Sequence, residues 1–305
     1  MDNFAPQKGS KARSVTPTAR ILIIAGSDSG GGAGIQADIK TVAMLGGHPM
    51  TAVTAVTAQN TLGVDGIHPI PAEMILAQID SVIADIGVDA IKIGMIGSAE
   101  TCEAVADRLR KPDLAHVPIV FDPVMVASTG ARLTDQSAML SLTRLLARAT
   151  VSTPNTDELQ ALSGMPVSDE IEIEDAAAHL IEERGSGPIL VTGVRFPSGA
   201  ILGRGKAPVS NDGLIFDFLY LEDEGWREWC WHAERIETTA DHGTGCTLSS
   251  AIAFGLGAGL VLTDAILGAR AYVRATLEAA PGLGEGHGPM GHGLGRVHFS
   301  RPDKG

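Results

Sequence analysis

The stretch 20-RILIIAGSDSGGGAG-34 decides the fold. After Arg20 it runs apolar to Ala25, the mark of a strand buried on both faces. Gly26 to Gly34 is then a glycine-dense loop that neither a strand nor a helix tolerates. A helix is predicted from residue 35 to about 45, carrying Gln36, Asp38 and Lys40. Strand, glycine loop and helix form a ligand cradle, although glycine turns after a first strand are common.

Outward from that unit the alternation repeats. Strands are predicted over 50–56, 90–93, 118–121, 150–152 and 188–192, and helices over 72–85, 99–110, 137–147, about 169–184, 247–257 and 262–279. Short β pieces at 200–202, 214–221 and 229–231 suggest an antiparallel edge. No internal repeat is visible. The expected architecture is α/β: a mostly parallel sheet with helices on both faces, in which ligands gather at the carboxyl ends of the strands. Gly26, Gln59 (in Thr57-Ala58-Gln59-Asn60-Thr61), Asp122 and Asn155 all fall at such ends.

A second glycine loop lies in 238-TTADHGTGCTLSSAI-252. Gly243 and Gly245 bracket Thr244, Cys246 follows, and a helix begins. The first N–H groups of a helix lack intrahelical partners and carry the positive end of its dipole, so this loop suits a phosphate or a developing oxyanion. A thiol there is expected to have a lowered pKa and could act as base or nucleophile. The local alternative is a Gly-capped core helix with a small buried Cys.

Other candidates carry their own alternatives. Gln59 can both donate and accept, so it could read an amino-substituted ring or merely close a loop. Asn155 and Glu158 have the spacing of a capping box, and the same pair could hold water around a magnesium-bound phosphate. The acidic run 169–175 fits a helix start. His287 and His292, in a glycine-dense segment near the end, read as flexible loop and not as metal ligands.

Composition narrows the classes. The 305 residues, with 44% hydrophobic content and 37 glycines, suit a soluble α/β protein. A formal charge of −13 argues against nucleic acid, so an anionic substrate needs local dipoles and metal ions. Three widely spaced cysteines suggest neither a disulfide framework nor a zinc site. No apolar run reaches membrane-spanning length, and residues 1–19 read as a polar tail without a signal peptide's core, so no membrane partner and a cytoplasmic location are expected. Residues 20–298 are expected to form one domain, with 299–305 a short tail.

From about Arg20 to His298 the chain resembles the hydroxymethylpyrimidine/phosphomethylpyrimidine kinases, thiamin-pathway members of the ribokinase-like superfamily. The resemblance rests on residues 25–38, Thr57 to Thr61, Lys92-Ile93-Gly94-Met95, Asp122-Pro123-Val124-Met125-Val126 and residues 242–249. It implies a ribokinase-like fold and ATP- and Mg²⁺-dependent phosphorylation of 4-amino-5-hydroxymethyl-2-methylpyrimidine, then of its monophosphate. It implies Cys246 as the base, Gly243, Thr244 and Gly245 as the anion hole, and Gln59, Asp38, Gly26 and Met95 at the substrate. Asp122, Asn155 and Glu158 would serve ATP and magnesium, with Mg²⁺ met by Asn155 and Glu158 through water, and the assembly implied is a homodimer.

The chain departs from the family pattern at Thr192-Gly193-Val194-Arg195 and Ser128-Thr129, where lysines are common, and at Asp241, an extra carboxylate beside the anion loop. Rival readings are a pyridoxal/pyridoxine kinase on the same fold, a degenerate pyrimidine-binding paralogue, and a cysteine hydrolase pairing Cys246 with His242.

Overall fold

The computed structural model describes residues 18–125, 138–197, 213–222 and 225–293. The expected strand at 200–202, Ser128-Thr129 and residues 294–298 lie outside them.

The apolar run becomes β1 (Arg20–Asp28), which pairs in parallel with β2 (His48–Gln59) on one side and β4 (Ala90–Ile93) on the other. Because it is flanked on both sides, its two faces feed two cores. Leu22 and Ile24 enter one, and Ile21, Ile23 and Ala25 enter the other. Among the described residues the sheet has nine strands in the order β3-β2-β1-β4-β5-β6-β7-β8-β9, adding β3 (Val64–Pro69), β5 (Ile119–Phe121), β6 (Val151–Ser152), β7 (Ile189–Val194), β8 (Leu214–Glu222) and β9 (Trp226–Glu234). Strands β2 to β7 are parallel to one another apart from β3, and β3, β8 and β9 pair antiparallel at the two edges.

Helices α1 (Gly34–Met44), α7 (Thr244–Gly257) and α8 (Leu262–Glu278) cover one face. On the opposite face lie α2 (Ala72–Asp85), α3 (Ala99–Leu109), α4 (Ala138–Leu146), α5 (Thr156–Ser163) and α6 (Glu170–Glu182). The mostly parallel α/β architecture is the expected one. Two differences have physical reasons. Strand β3 has almost every residue exposed, so it shows no hydrophobic period to predict it and is held by the β2 ladder. Helix α7 begins three residues early, because Gly243 adopts φ +87° as its N-cap and lets the glycine loop turn directly into the helix.

The segment 282–293 corrects the expectation of a flexible loop. His287 N–H donates to the Thr61 carbonyl (2.9 Å), Gly288 N–H to Thr239 (3.0 Å) and Gly291 N–H to Thr276 (2.8 Å). Met290 and His292 are buried, and His292 Nε2 lies 2.8 Å from Thr247 Oγ1. Burial lowers His292 to about 4, so it packs as a neutral ring. The segment straps the start of α7 to the β2 edge.

Candidate active site

Chain order reverses at β1, whose successors leave to opposite sides, and a crevice opens there at the carboxyl ends. A cavity of about 210 Å³ occupies it. Its wall includes Gly26, Gln59, Met95, Asp122, Asn155, Glu158, Gly243, Thr244, Gly245 and Cys246. Residues more than 200 positions apart therefore meet at one site.

The two glycine loops touch. A Cβ on Gly243 would lie 2.0 Å from the Gly32 carbonyl oxygen, and one on Gly32 would lie 2.4 Å from the His242 ring. The first loop wraps its own Asp28. Gly30 N–H donates to Oδ1 (2.8 Å), and Gly32 and Ala33 N–H donate to Oδ2 (2.9 and 2.8 Å). His242 Nε2 adds a contact to Oδ2 at 3.1 Å. Burial opposes the Asp28 charge, but these hydrogen bonds outweigh it and hold the carboxyl below its usual range.

His242 Nε2 also lies 3.0 Å from the Gln59 amide. A proton on Nε2 directed at Asp28 then requires Gln59 to turn its oxygen toward His242 and its NH₂ toward Thr57 Oγ1, 3.2 Å away. The Asp28–His242–Gln59 clasp ties Gln59 to the second glycine loop. Neither Asp28 nor His242 stood out in the sequence as part of such a clasp. His242 Nε2 serves this contact, so the ring is not free to orient Cys246 as a hydrolase base.

The second loop stays open. Gly245 and Cys246 N–H make no hydrogen bond among the described residues, and Gly245 is exposed. Asp122 lies below it, both oxygens 3.9 Å from where a Gly245 Cβ would stand. Asn155 Oδ1 accepts from Glu158 N–H (2.9 Å) and Glu158 Oε2 from Asn155 N–H (3.0 Å), so the capping box is formed, and the same two side chains reach the cavity. Burial in the wall, with Asp122 nearby, pushes Glu158 up to about 8.

Two expectations need correction. Asp38 does not line the cavity. It is fully enclosed one layer behind, where both oxygens take Lys92 Nζ (3.0 and 3.1 Å) and Oδ1 takes Ser250 Oγ (2.7 Å). Its helix position turns it into the core, so Lys92 is the group that reaches the cavity. The Cys246 thiol is not lowered. Burial pushes it up to about 12, with Asp38 and Asp122 adding to the rise, while Lys92 and the Gly34 N–H act against it. A local helix dipole includes neither the burial of the thiol nor the two carboxylates that the fold brings to the same spot.

A second groove of about 520 Å³ lies across the second glycine loop. It shares Thr192, Asp241, Thr244 and Gly245 with the first cavity. Arg195, Arg235, Arg270 and Arg274 line it, so cations are present although Thr192 replaces a lysine. Asp241 sits at the junction, paired with His287 Nδ1 at 2.7 Å. The groove was not legible in the sequence, because its wall comes from β8, β9 and α8.

A mostly parallel sheet with its site at the switch point, where a cavity and a larger groove share the N-terminus of α7, is the arrangement of a small-molecule kinase of the ribokinase-like class. The chain belongs to the phosphomethylpyrimidine kinase family, whose model matches residues 28–291. It is 44% identical to the hydroxymethylpyrimidine/phosphomethylpyrimidine kinase of Streptomyces coelicolor, over 92% of this chain and 96% of that one. It is 41% identical to the thiamine biosynthesis bifunctional protein ThiED of Geobacter sulfurreducens, over 92% of this chain and 53% of that longer protein. Among solved structures, the ADP complex of Bacillus subtilis pyridoxal kinase superposes with TM-score 0.75 at 31% identity, covering 90% of this chain and 97% of that one.

Proposed function

We propose that the protein transfers the γ-phosphoryl group of ATP to the hydroxymethyl oxygen of 4-amino-5-hydroxymethyl-2-methylpyrimidine, then phosphorylates the monophosphate to the diphosphate. One observation carries this reading: the anion loop stands between two cavities of different size that share it. The smaller falls below the roughly 300–1,000 Å³ of drug-sized sites and suits a single ring, and the larger falls within that range and suits a nucleotide. A phosphoryl group passing between them crosses Thr244 and Gly245.

In this reading Gln59 reads the ring, while Gly26 and Met95 close its pocket. The α7 N–H groups hold the transferring oxygens, and positioning with charge stabilisation supplies most of the rate. Cys246 takes the hydroxyl proton. The oxygen donors at the rim suit a hard cation, and among the described residues no group of three or more His, Cys, Asp or Glu could hold a metal. Magnesium would therefore be held largely by phosphate oxygens and water, with Asn155 and Glu158 as outer contacts, and it would neutralise phosphate charge. Asp122 fixes the floor below Gly245. A homodimer in the cytoplasm completes the proposal, and light scattering tests the assembly.

The test is ADP release measured in parallel with the hydroxymethylpyrimidine, its monophosphate and pyridoxal. Release with both pyrimidines and little with pyridoxal is expected. Faster turnover of pyridoxal would overturn the assignment in favour of the vitamin B6 reading. Pyrimidine binding without ADP release would make the chain a non-catalytic binder.

A further inference from the structure

Lys92 is the least explained residue in the site. It is a lysine on a central parallel strand, fully enclosed apart from its place in the cavity wall, and its strand neighbours Ile91 and Ile93 are core. An ammonium in such a place needs partners. Asp38 takes it with both oxygens at 3.0 and 3.1 Å, and Asp122 Oδ2 stands at 3.8 Å.

The first turns of α7 close the group. Cys246, Ser249 and Ser250 are spaced i, i+3 and i+4, so they share a helix face. Ser249 Oγ lies 3.1 Å from Asp122 Oδ2 and shares its proton with the Gly245 carbonyl at 2.9 Å, and Ser250 Oγ donates to Asp38 Oδ1 (2.7 Å). Each carboxylate of the Lys92 cluster is thus fixed to the helix that carries the thiol. The ionisable groups acting on Cys246 are Lys92 from β4, Asp38 from α1 and Asp122 from the end of β5, with Glu158 of α5 beside Asp122. Lys92 is the one cation among them.

If Lys92 served Asp38 alone, one buried ion pair would be complete without reaching the cavity. Instead Lys92 faces both the carboxylates and the substrate space. We propose that Lys92 is a positioning residue for phosphoryl transfer: it supplies the positive charge that lets Cys246 exist as a thiolate between Asp38 and Asp122. The inference rests on the kinase reading above. The step balances as follows. The thiol first loses its proton to solvent. The thiolate then takes the hydroxymethyl proton as that oxygen bonds to the γ-phosphorus, and the β–γ bridging bond breaks with its electron pair leaving on ADP. That transfer restores the thiol, so one proton reaches solvent per turnover.

The test is the pH profile of iodoacetamide alkylation at Cys246, followed by peptide mass mapping so that Cys102 and Cys230 do not interfere. Lys92→Met alone strands Asp38 in the core and is expected to fold poorly. Lys92→Met combined with Asp38→Asn removes both charges and keeps the volume, and Asp38→Asn alone leaves Lys92 without its main partner. At a fixed pH of about 8, Asp38→Asn should be alkylated faster than wild type, and the double variant at least tenfold more slowly than Asp38→Asn, the equivalent of about one pH unit in thiolate population. The double variant should also lose at least tenfold in kcat against Asp38→Asn, with KM for the pyrimidine little changed. Coincident alkylation profiles in the two variants would overturn the proposal and leave Lys92 a structural partner of Asp38. Should the protein turn over no pyrimidine, the kinase reading fails, yet the alkylation comparison still decides the role of Lys92.

Discussion

The two glycine loops are alike as strings and opposite as sites. The loop after β1 has filled itself: three of its N–H groups close on the carboxylate of Asp28. The loop before α7 has no such side chain, and its N–H groups at Gly245 and Cys246 remain available. Glycine content therefore identifies a backbone able to curl around an anion, and not one that binds a ligand. What separates the loops is whether the chain supplies its own anion. The filled loop gains rigidity, which it lends through His242 to the open one.

That contrast can be broken first at Asp28. Asp28→Ala leaves three N–H groups without their carboxylate, of which only that of Gly32 is buried, so stability should fall by about 1–3 kcal/mol in chemical denaturation. Inorganic phosphate should restore part of the loss in the variant more than in wild type, because the emptied loop becomes an anion site. A stability equal to wild type would mean that the loop does not depend on its own carboxylate.

At the open loop the effect should appear in turnover. Cys246→Ser should lower kcat a hundredfold or more, the scale for a positioned base, with the pyrimidine KM changed only a few-fold. The sign with pH follows from the thiol being pushed up to about 12. Thiolate is a minor form at neutral pH and increases as pH rises, so wild-type kcat should climb between pH 6 and 9. The serine variant should lack that slope. Near-normal turnover in the variant would return Cys246 to a packing role.

A smaller effect is expected where the loops join. Gln59→Ala should weaken pyrimidine binding by about 1–3 kcal/mol in calorimetry and leave ATP binding near normal. Equal loss of both ligands would show that Gln59 acts by holding His242, and so the two loops, together. The smallest effect belongs to Glu158→Gln, which should raise the Mg²⁺ needed for half-maximal rate a few-fold. If Glu158 only caps α5, melting temperature moves slightly and the Mg²⁺ dependence stays put.

Much of this was local and therefore readable. The helix over 72–85 and the strand over 90–93 match α2 and β4 residue for residue, because a 3.6-residue period and an unbroken apolar run need no partner to identify them. The Asn155–Glu158 capping box is likewise a matter of four consecutive residues. Short-range signals, placed at successive strand ends, were enough to gather Gln59, Asp122, Asn155 and the Gly243–Cys246 loop at one edge of the sheet.

Tertiary structure alone decided the electrostatics. Lys92 and Asp38 are 54 positions apart, and Asp28 and His242 are 214 apart, so no window of sequence holds both members of either pair. The thiol of Cys246 was misjudged for the same reason: the helix dipole is local and visible, whereas the burial that raises the thiol, and with it Asp38 and Asp122, comes from other elements. The flexible-looking segment around His287 and His292 was decided by the groove into which it packs. Backbone conformation follows from near neighbours in the chain, but the charge state of a buried group depends on every charge within a few ångströms, and only the fold sets those distances.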